Sequence, residues 1–205
     1  MKKKSILILS LAAIIAAGLS FTACNRNELP PEPIGGQPNG VVESVRGYWS
    51  DGVYTNEFAN LTFRLPNGWN YVSREQLDEM TANAQASPNN PDPNSERFFE
   101  MIARAESGET SIVMVFEPLS PSEIQANYSA KEFLDGIMLT YQRRPGIYYI
   151  SEMFEKTFGG NEYYAFYVAL SQETTLTYFA RIVDGYSVSI SVLRLELYDV
   201  LSYFS

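Results

Sequence analysis

The sequence predicts an α+β domain, a single antiparallel sheet of about six strands with helices packed on it. Three observations carry this. The second half alternates apolar and polar residues at period two, over Glu162–Leu170, Thr174–Val183 and Tyr186–Val192. Turn signals separate those runs: Gly159-Gly160, and Asp184-Gly185, a strong tight-hairpin dipeptide. Boxes of serine followed three residues later by Gln or Glu, at Ser73/Gln76, Ser120/Glu123 and Ser129/Glu132, each mark a helix start.

In chain order, Val53–Phe58 is a short strand. Asn60–Leu65 is a second, with Leu61, Phe63 and Leu65 on one face. Pro66-Asn67-Gly68 is a turn, after which Trp69 and Tyr71 resume. Ser73 caps a helix running toward Ala84, and Ser87–Ser95, rich in Pro and Asn, is a loop. Glu96–Ala105 reads as a short helix with Phe99, Ile102 and Ala103 on one face. Thr110–Phe116 is apolar on both faces, which is how a central, doubly covered strand reads. Pro121 opens one helical stretch, and the Ser129 box opens the main helix, which Pro145-Gly146 stops. Strands over Ile147–Lys156 and the three alternating runs follow. Leu195–Phe204 is an amphipathic helix that docks on the sheet.

The chain has no histidine and one cysteine, Cys24. That excludes His- or Cys-based zinc sites, Ser-His-Asp triads, Cys-His dyads and any intrachain disulfide. The reading calls for no metal and no cofactor. Met1–Ala23 holds three of the 15 Lys+Arg and none of the 24 Asp+Glu, so the rest carries 15 − 3 = 12 cations against 24 anions, net −12. Such a balance argues against nucleic acid, whose phosphates demand Lys and Arg.

Lys2, Lys3 and Lys4 precede an apolar run from Ile6 to Ala17 that is short for a membrane span. Phe21-Thr22-Ala23-Cys24 then resembles the lipobox of bacterial lipoprotein precursors, with Phe21 where that family usually has leucine. The resemblance implies cleavage between Ala23 and Cys24 and acylation of Cys24, so that residues 1–23 are a signal peptide. Two acyl chains anchor stably where one does not, each buried CH₂ contributing about 0.8 kcal/mol. The expected location is extracytoplasmic, with membrane lipid as partner through Cys24. Residues 24–46 then form a Pro/Gly-rich tether, and proline keeps such a segment extended. Residues 47–205 are the folded domain.

Within that domain, Gly47-Tyr48-Trp49, Tyr54-Thr55-Asn56-Glu57 and Leu61-Thr62-Phe63-Arg64-Leu65-Pro66-Asn67-Gly68-Trp69 resemble small lipoproteins of Gram-positive anaerobes, which are similar to the Mog1/PsbP-like fold. The later Gly159-Gly160-Asn161-Glu162-Tyr163 hairpin fits the same pattern. The resemblance implies a binding or assembly role and transfers no functional residue, because the shared positions are turn and core types.

Three residue sets are candidate sites. Asn89, Asn90, Asp92, Asn94 and Glu96 cluster oxygens, but without EF-hand spacing they read as a solvated loop. Glu152, Glu155, Glu162 and Glu173 surround one hairpin, and paired carboxylates are the equipment of a hydrolase. Acids at strand ends ordinarily face solvent. Tyr148, Tyr149, Tyr163, Tyr164, Tyr167, Tyr178 and Tyr186 fall on neighbouring strands. Tyr163 and Tyr167 would line a ligand groove if no helix covers them; if both faces are covered, the rings are half-buried core, the commoner case for strand tyrosines. The sequence thus reads as a non-enzymatic envelope lipoprotein that binds an unnamed partner protein or small ligand. The alternatives are a carbohydrate or solute binder using a tyrosine-lined sheet face and a carboxylate-based hydrolase.

Overall fold

The computed structural model describes residues 43–87, 96–194 and 200–205. The expectations for Cys24, the tether before residue 43 and Asn89–Asn94 lie outside them. Among the described residues, no helix is long and apolar enough to cross a membrane.

Two antiparallel sheets form instead of one. The smaller comprises β1 (Tyr48–Ser50), β2 (Val53–Asn56) and β3 (Leu61–Arg64), in that order. The larger comprises β4 (Trp69–Tyr71), β5 (Phe98–Ala105), β6 (Ser111–Pro118), β7 (Tyr149–Ile150), β8 (Phe154–Phe158), β9 (Asn161–Ala169), β10 (Thr175–Val183) and β11 (Tyr186–Arg194). Its order is β4-β5-β6-β11-β10-β9-β7, with β8 also paired to β9. Helices α1 (Arg74–Gln85), α2 (Pro121–Gln125) and α3 (Ala130–Gln142) all start at the expected serine boxes, each with its reciprocal hydrogen bonds in place.

The strand count exceeds about six for identifiable reasons. Glu96–Ala105 does not form a helix; its main part is β5. A bulge between Phe99 and Met101 shifts the register by one residue. Phe98 and Met101 therefore share one face, and Phe99 and Ile102 the other, which mimics the i, i+3 spacing of a helix. Ile147–Lys156 breaks into β7 and the start of β8. Ser151 occupies the break, donating its N–H to the Tyr167 carbonyl and accepting the Tyr167 N–H on its hydroxyl, both at 2.9 Å. At the C-terminus, residues 195–199 lie outside the description, and Val200–Tyr203 is a 3₁₀ turn rather than α-helix. Phe204 then bridges to Phe63, and Ser205 exchanges backbone hydrogen bonds with Thr62, so the chain end docks on the small sheet.

The first face of the large sheet carries Met101, Met114, Phe116, Ile190 and Phe179, packed against Tyr54, Leu61 and Phe63 of the small sheet. The second face carries Phe166, Val168, Tyr178 and Ala180, packed against Leu134 and Tyr141 of α3. Ile112, Met114 and Phe116 are completely buried and Val113 nearly so, as expected of a strand flanked by β5 and β11. Each such side chain contributes about 1.5–3 kcal/mol. Val45 and Arg46, on the tether side of the expected boundary, are built into the domain.

Candidate functional site

The bulge at Glu100 has a chemical purpose. It turns an acidic side chain, 1% exposed, into the space between the two sheets. Its Oε1 accepts hydrogen bonds from the Gly47 N–H and the Tyr54 hydroxyl, both at 2.6 Å, and from Asn56 Nδ2 at 3.3 Å. Its Oε2 lies 3.3 Å from a guanidinium nitrogen of both Arg46 and Arg74. Arg46 also reaches Asp78 at 3.0 Å and the Phe99 carbonyl at 3.0 Å, and lies over the Phe98 ring. Arg74 donates to the Gly47 carbonyl at 2.6 Å. Burial, followed by the Glu100 charge, pushes the Tyr54 hydroxyl far above the usual tyrosine range. A β-carbon on Gly47 would meet Tyr54 Oη at 2.5 Å and the Thr55 carbonyl, so only glycine fits. Every acceptor position on Glu100 is taken from within the protein. The cluster is a structural knot joining β2, β5, α1 and the segment that enters the domain, and no substrate group can reach it.

Of the two tyrosines expected to line a groove, Tyr163 does not. It is 1% exposed, stacked on Phe158 beneath the small sheet. Alternation places Tyr163 on the first face, but it is a second sheet, not a helix, that covers it. Burial pushes its hydroxyl up to about 12, against the opposing pull of the Arg181 charge. Arg181 donates to Asn161 Oδ1 and the Ala59 carbonyl. Tyr167 is half-buried, its ring centroid 5.8 Å from that of Tyr149.

Among the described residues, four of the six exposed rings lie elsewhere, along the edge formed by β7, β8 and β9; the other two, Tyr48 and Tyr71, are on β1 and β4. Tyr148 is 65% exposed, Tyr149 51%, Phe154 39% and Tyr164 37%. Ala165 opposite Phe154 and Tyr164 opposite Glu155 fix the local register. Met153, Phe154, Glu155 and Tyr164, with Lys131 from the start of α3, line a shallow open depression of about 320 Å³. Lys131 is paired with Asp135 at 2.9 Å. An open depression walled by rings and flanked by one acid and one amine suits contact with an extended or flat ligand. Tyr164 was visible in the sequence as one of the strand tyrosines; Phe154 was not singled out, because the break before β8 hides its phase.

The four glutamates do not converge. Glu152, Glu155, Glu162 and Glu173 are all exposed. Glu162 pairs with Thr157, and Glu155 with Tyr164, one pair-step of two residues away on the same face. Among the described residues, no group of three or more His, Cys, Asp or Glu side chains could hold a metal ion.

No family model matches the chain, and no curated protein matches it. Among solved structures it is similar to the solution structure of cyanobacterial PsbP (CyanoP) from Synechocystis sp. PCC 6803, at a TM-score of 0.41 and 14% sequence identity, covering 84% of this chain and 98% of that one. A likeness that distant transfers no role. The α+β class rests on the strands and helices themselves.

Proposed function

We propose that this protein is a membrane-anchored extracytoplasmic lipoprotein whose domain binds a partner protein or ligand at the cell envelope, without turnover, through the aromatic edge of its large sheet. The single observation behind the binding role is the row of exposed rings Tyr148, Tyr149, Phe154 and Tyr164 along one edge. Large exposed apolar groups along one edge, with Phe154 and Tyr164 on its two faces, mark an interaction surface that wraps the edge. The Mog1/PsbP-like reading belongs to this proposal, on the turn and core motifs of the sequence. The anchor rests on the lipobox and the single cysteine. A small-solute variant draws on the depression between Lys131, Phe154 and Tyr164.

Two measurements test this reading. Cys24→Ser is expected to move the protein from the membrane fraction to the soluble fraction, and mass spectrometry of the wild type to show acylated Cys24 with Met1–Ala23 removed. A wild-type Cys24 found unmodified inside an uncleaved chain overturns the anchor. A photo-crosslinking residue at position 154 of the full-length protein in cells is expected to give a discrete adduct. The adduct should fall at least tenfold when Tyr164 is changed to Ala, while a crosslinker at exposed Glu79 gives none. Equal adducts from positions 154 and 79 sink the binding edge.

A further inference from the structure

Among the described residues, strand β8 has one backbone side with no neighbour. The turn Gly159-Gly160 has φ of 55° and 71°, the type I′ geometry of a two-residue hairpin. Such a hairpin closes on a pair that exchanges two hydrogen bonds, here Phe158 and Asn161. Hydrogen-bonded and non-hydrogen-bonded pairs alternate along an antiparallel ladder. Phe158, Lys156 and Phe154 therefore turn their N–H and C=O toward β9, and Thr157 and Glu155 turn theirs outward. Among the described residues β8 pairs with β9 alone, and Phe154, Glu155, Lys156 and Thr157 are all exposed. The strand contains no proline and no bulge of its own, and of the devices that close an edge it carries only the charges of Glu155 and Lys156.

The side chains select the occupant. A symmetric pairing of β8 with a second copy must set a residue against its own counterpart, because directly opposed residues share a face. Centring that pairing on Glu155 or Lys156 sets like charges against each other, which is unfavourable; centring it on Thr157 avoids this but pairs only Lys156–Phe158 of the strand. A foreign strand meets no such conflict. On one face it finds Glu155, Thr157, Glu162 and Tyr164, acidic and aromatic, with Lys131 nearby but paired to Asp135; on the other it finds Phe154 and Lys156. Charge complementarity calls for basic residues at alternate positions over the Glu155–Glu162 face and apolar residues between them.

We propose that β8 accepts an extended basic segment of a partner protein as an added strand, with the main-chain groups of Glu155 and Thr157 making the ladder. This rests on the reading of the aromatic edge as the binding surface and specifies its mode. The test is residue-resolved amide hydrogen exchange on the full-length protein with two octapeptides, one alternating Lys and Val, the other alternating Glu and Val. The Lys/Val peptide is expected to slow exchange at Glu155 and Thr157 at least tenfold, leave Phe154 and Lys156 unchanged, and bind at least tenfold more tightly than the Glu/Val peptide. Glu155→Pro removes an outward amide and keeps the β8–β9 ladder, so it is expected to weaken binding at least tenfold; Glu155→Gln should erase the preference for lysine. If the proline variant does not fold, the wild-type exchange pattern decides alone. Absence of binding, binding without protection of those two amides, or full affinity in a folded Glu155→Pro variant overturns strand addition. If the crosslink at position 154 still depends on Tyr164 in that event, the binding edge stands and only its mode is wrong.

Discussion

Glu100→Ala is expected to leave the domain unfolded or nearly so at room temperature. Removing one partner of a buried ion pair costs about 3–5 kcal/mol, because the other charge stays buried. Arg46 is that charge, its side chain 6% exposed. The Tyr54 hydroxyl and the Gly47 N–H lose their acceptor as well, at about 1–3 kcal/mol each. Together these approach the whole stability of a typical domain, about 5–15 kcal/mol. Glu100→Gln keeps one acceptor oxygen but sets an amide N–H₂ against donors, so it should fall between the two. Urea titration followed by circular dichroism reads the difference. A Glu100→Ala protein within about 1 kcal/mol of wild type would show that the knot is not what holds the sheets together.

Raising the pH above 10 is expected to unfold the protein cooperatively. The hydroxyls of Tyr54, Tyr163 and Tyr178 are held above their ordinary value of 10.0, chiefly by burial. For Tyr54 the Glu100 charge adds to burial, and for Tyr178 the Tyr141 hydroxyl 2.6 Å away does. Below pH 10 all three are protonated in folded and unfolded chains alike, and nothing is lost. Above pH 10 the unfolded chain releases these protons while the folded one retains them, so the unfolded state binds fewer and stability falls. Each group costs about 1.4 kcal/mol per pH unit until its folded value is passed, near 12 for Tyr163. Three groups give a slope of about 4 kcal/mol per unit, enough to exhaust a typical stability within a few units. Tyrosinate absorbance should show the release of the buried Tyr54, Tyr163 and Tyr178 protons as a step that coincides with loss of the circular dichroism signal. One smooth titration of all 14 tyrosines near pH 10 with the fold intact would contradict this.

The parts of the fold that announce themselves in the sequence are local. Ser73/Gln76, Ser120/Glu123 and Ser129/Glu132 each satisfy orphan helix N–H groups within four residues, so their meaning needs no distant contact. Gly159-Gly160 and Asp184-Gly185 fix hairpins in the same self-contained way. What failed depended on partners far along the chain. The bulge at Glu100 disguised β5, because one inserted residue converts a period of two into apparent threes. Alternation put Tyr163 on the correct face but carries no information about what lies over that face, and a separate hairpin from residues 53–64 does. Glu100 itself left a trace: it is the lone acid inside Phe98-Phe99-Glu100-Met101-Ile102-Ala103, where a charge without buried partners would be prohibitive. Those partners, Arg46 and Arg74, are 54 and 26 residues away, so only the three-dimensional arrangement names them.

The knot around Glu100 also fixes where the domain is held. The entering chain is fastened at Arg46 and Gly47 onto β5, near one end of the large sheet, while Tyr149, Phe154 and Tyr164 belong to β7, β8 and β9 at the other. Five strand-to-strand steps separate β5 from β8 through β6, β11, β10 and β9, about 24 Å at roughly 4.8 Å per step. The point where the chain enters and the β8 edge thus sit toward opposite margins of the large sheet. A pull on the chain at Arg46 would be carried through buried guanidinium–carboxylate contacts into the sheet.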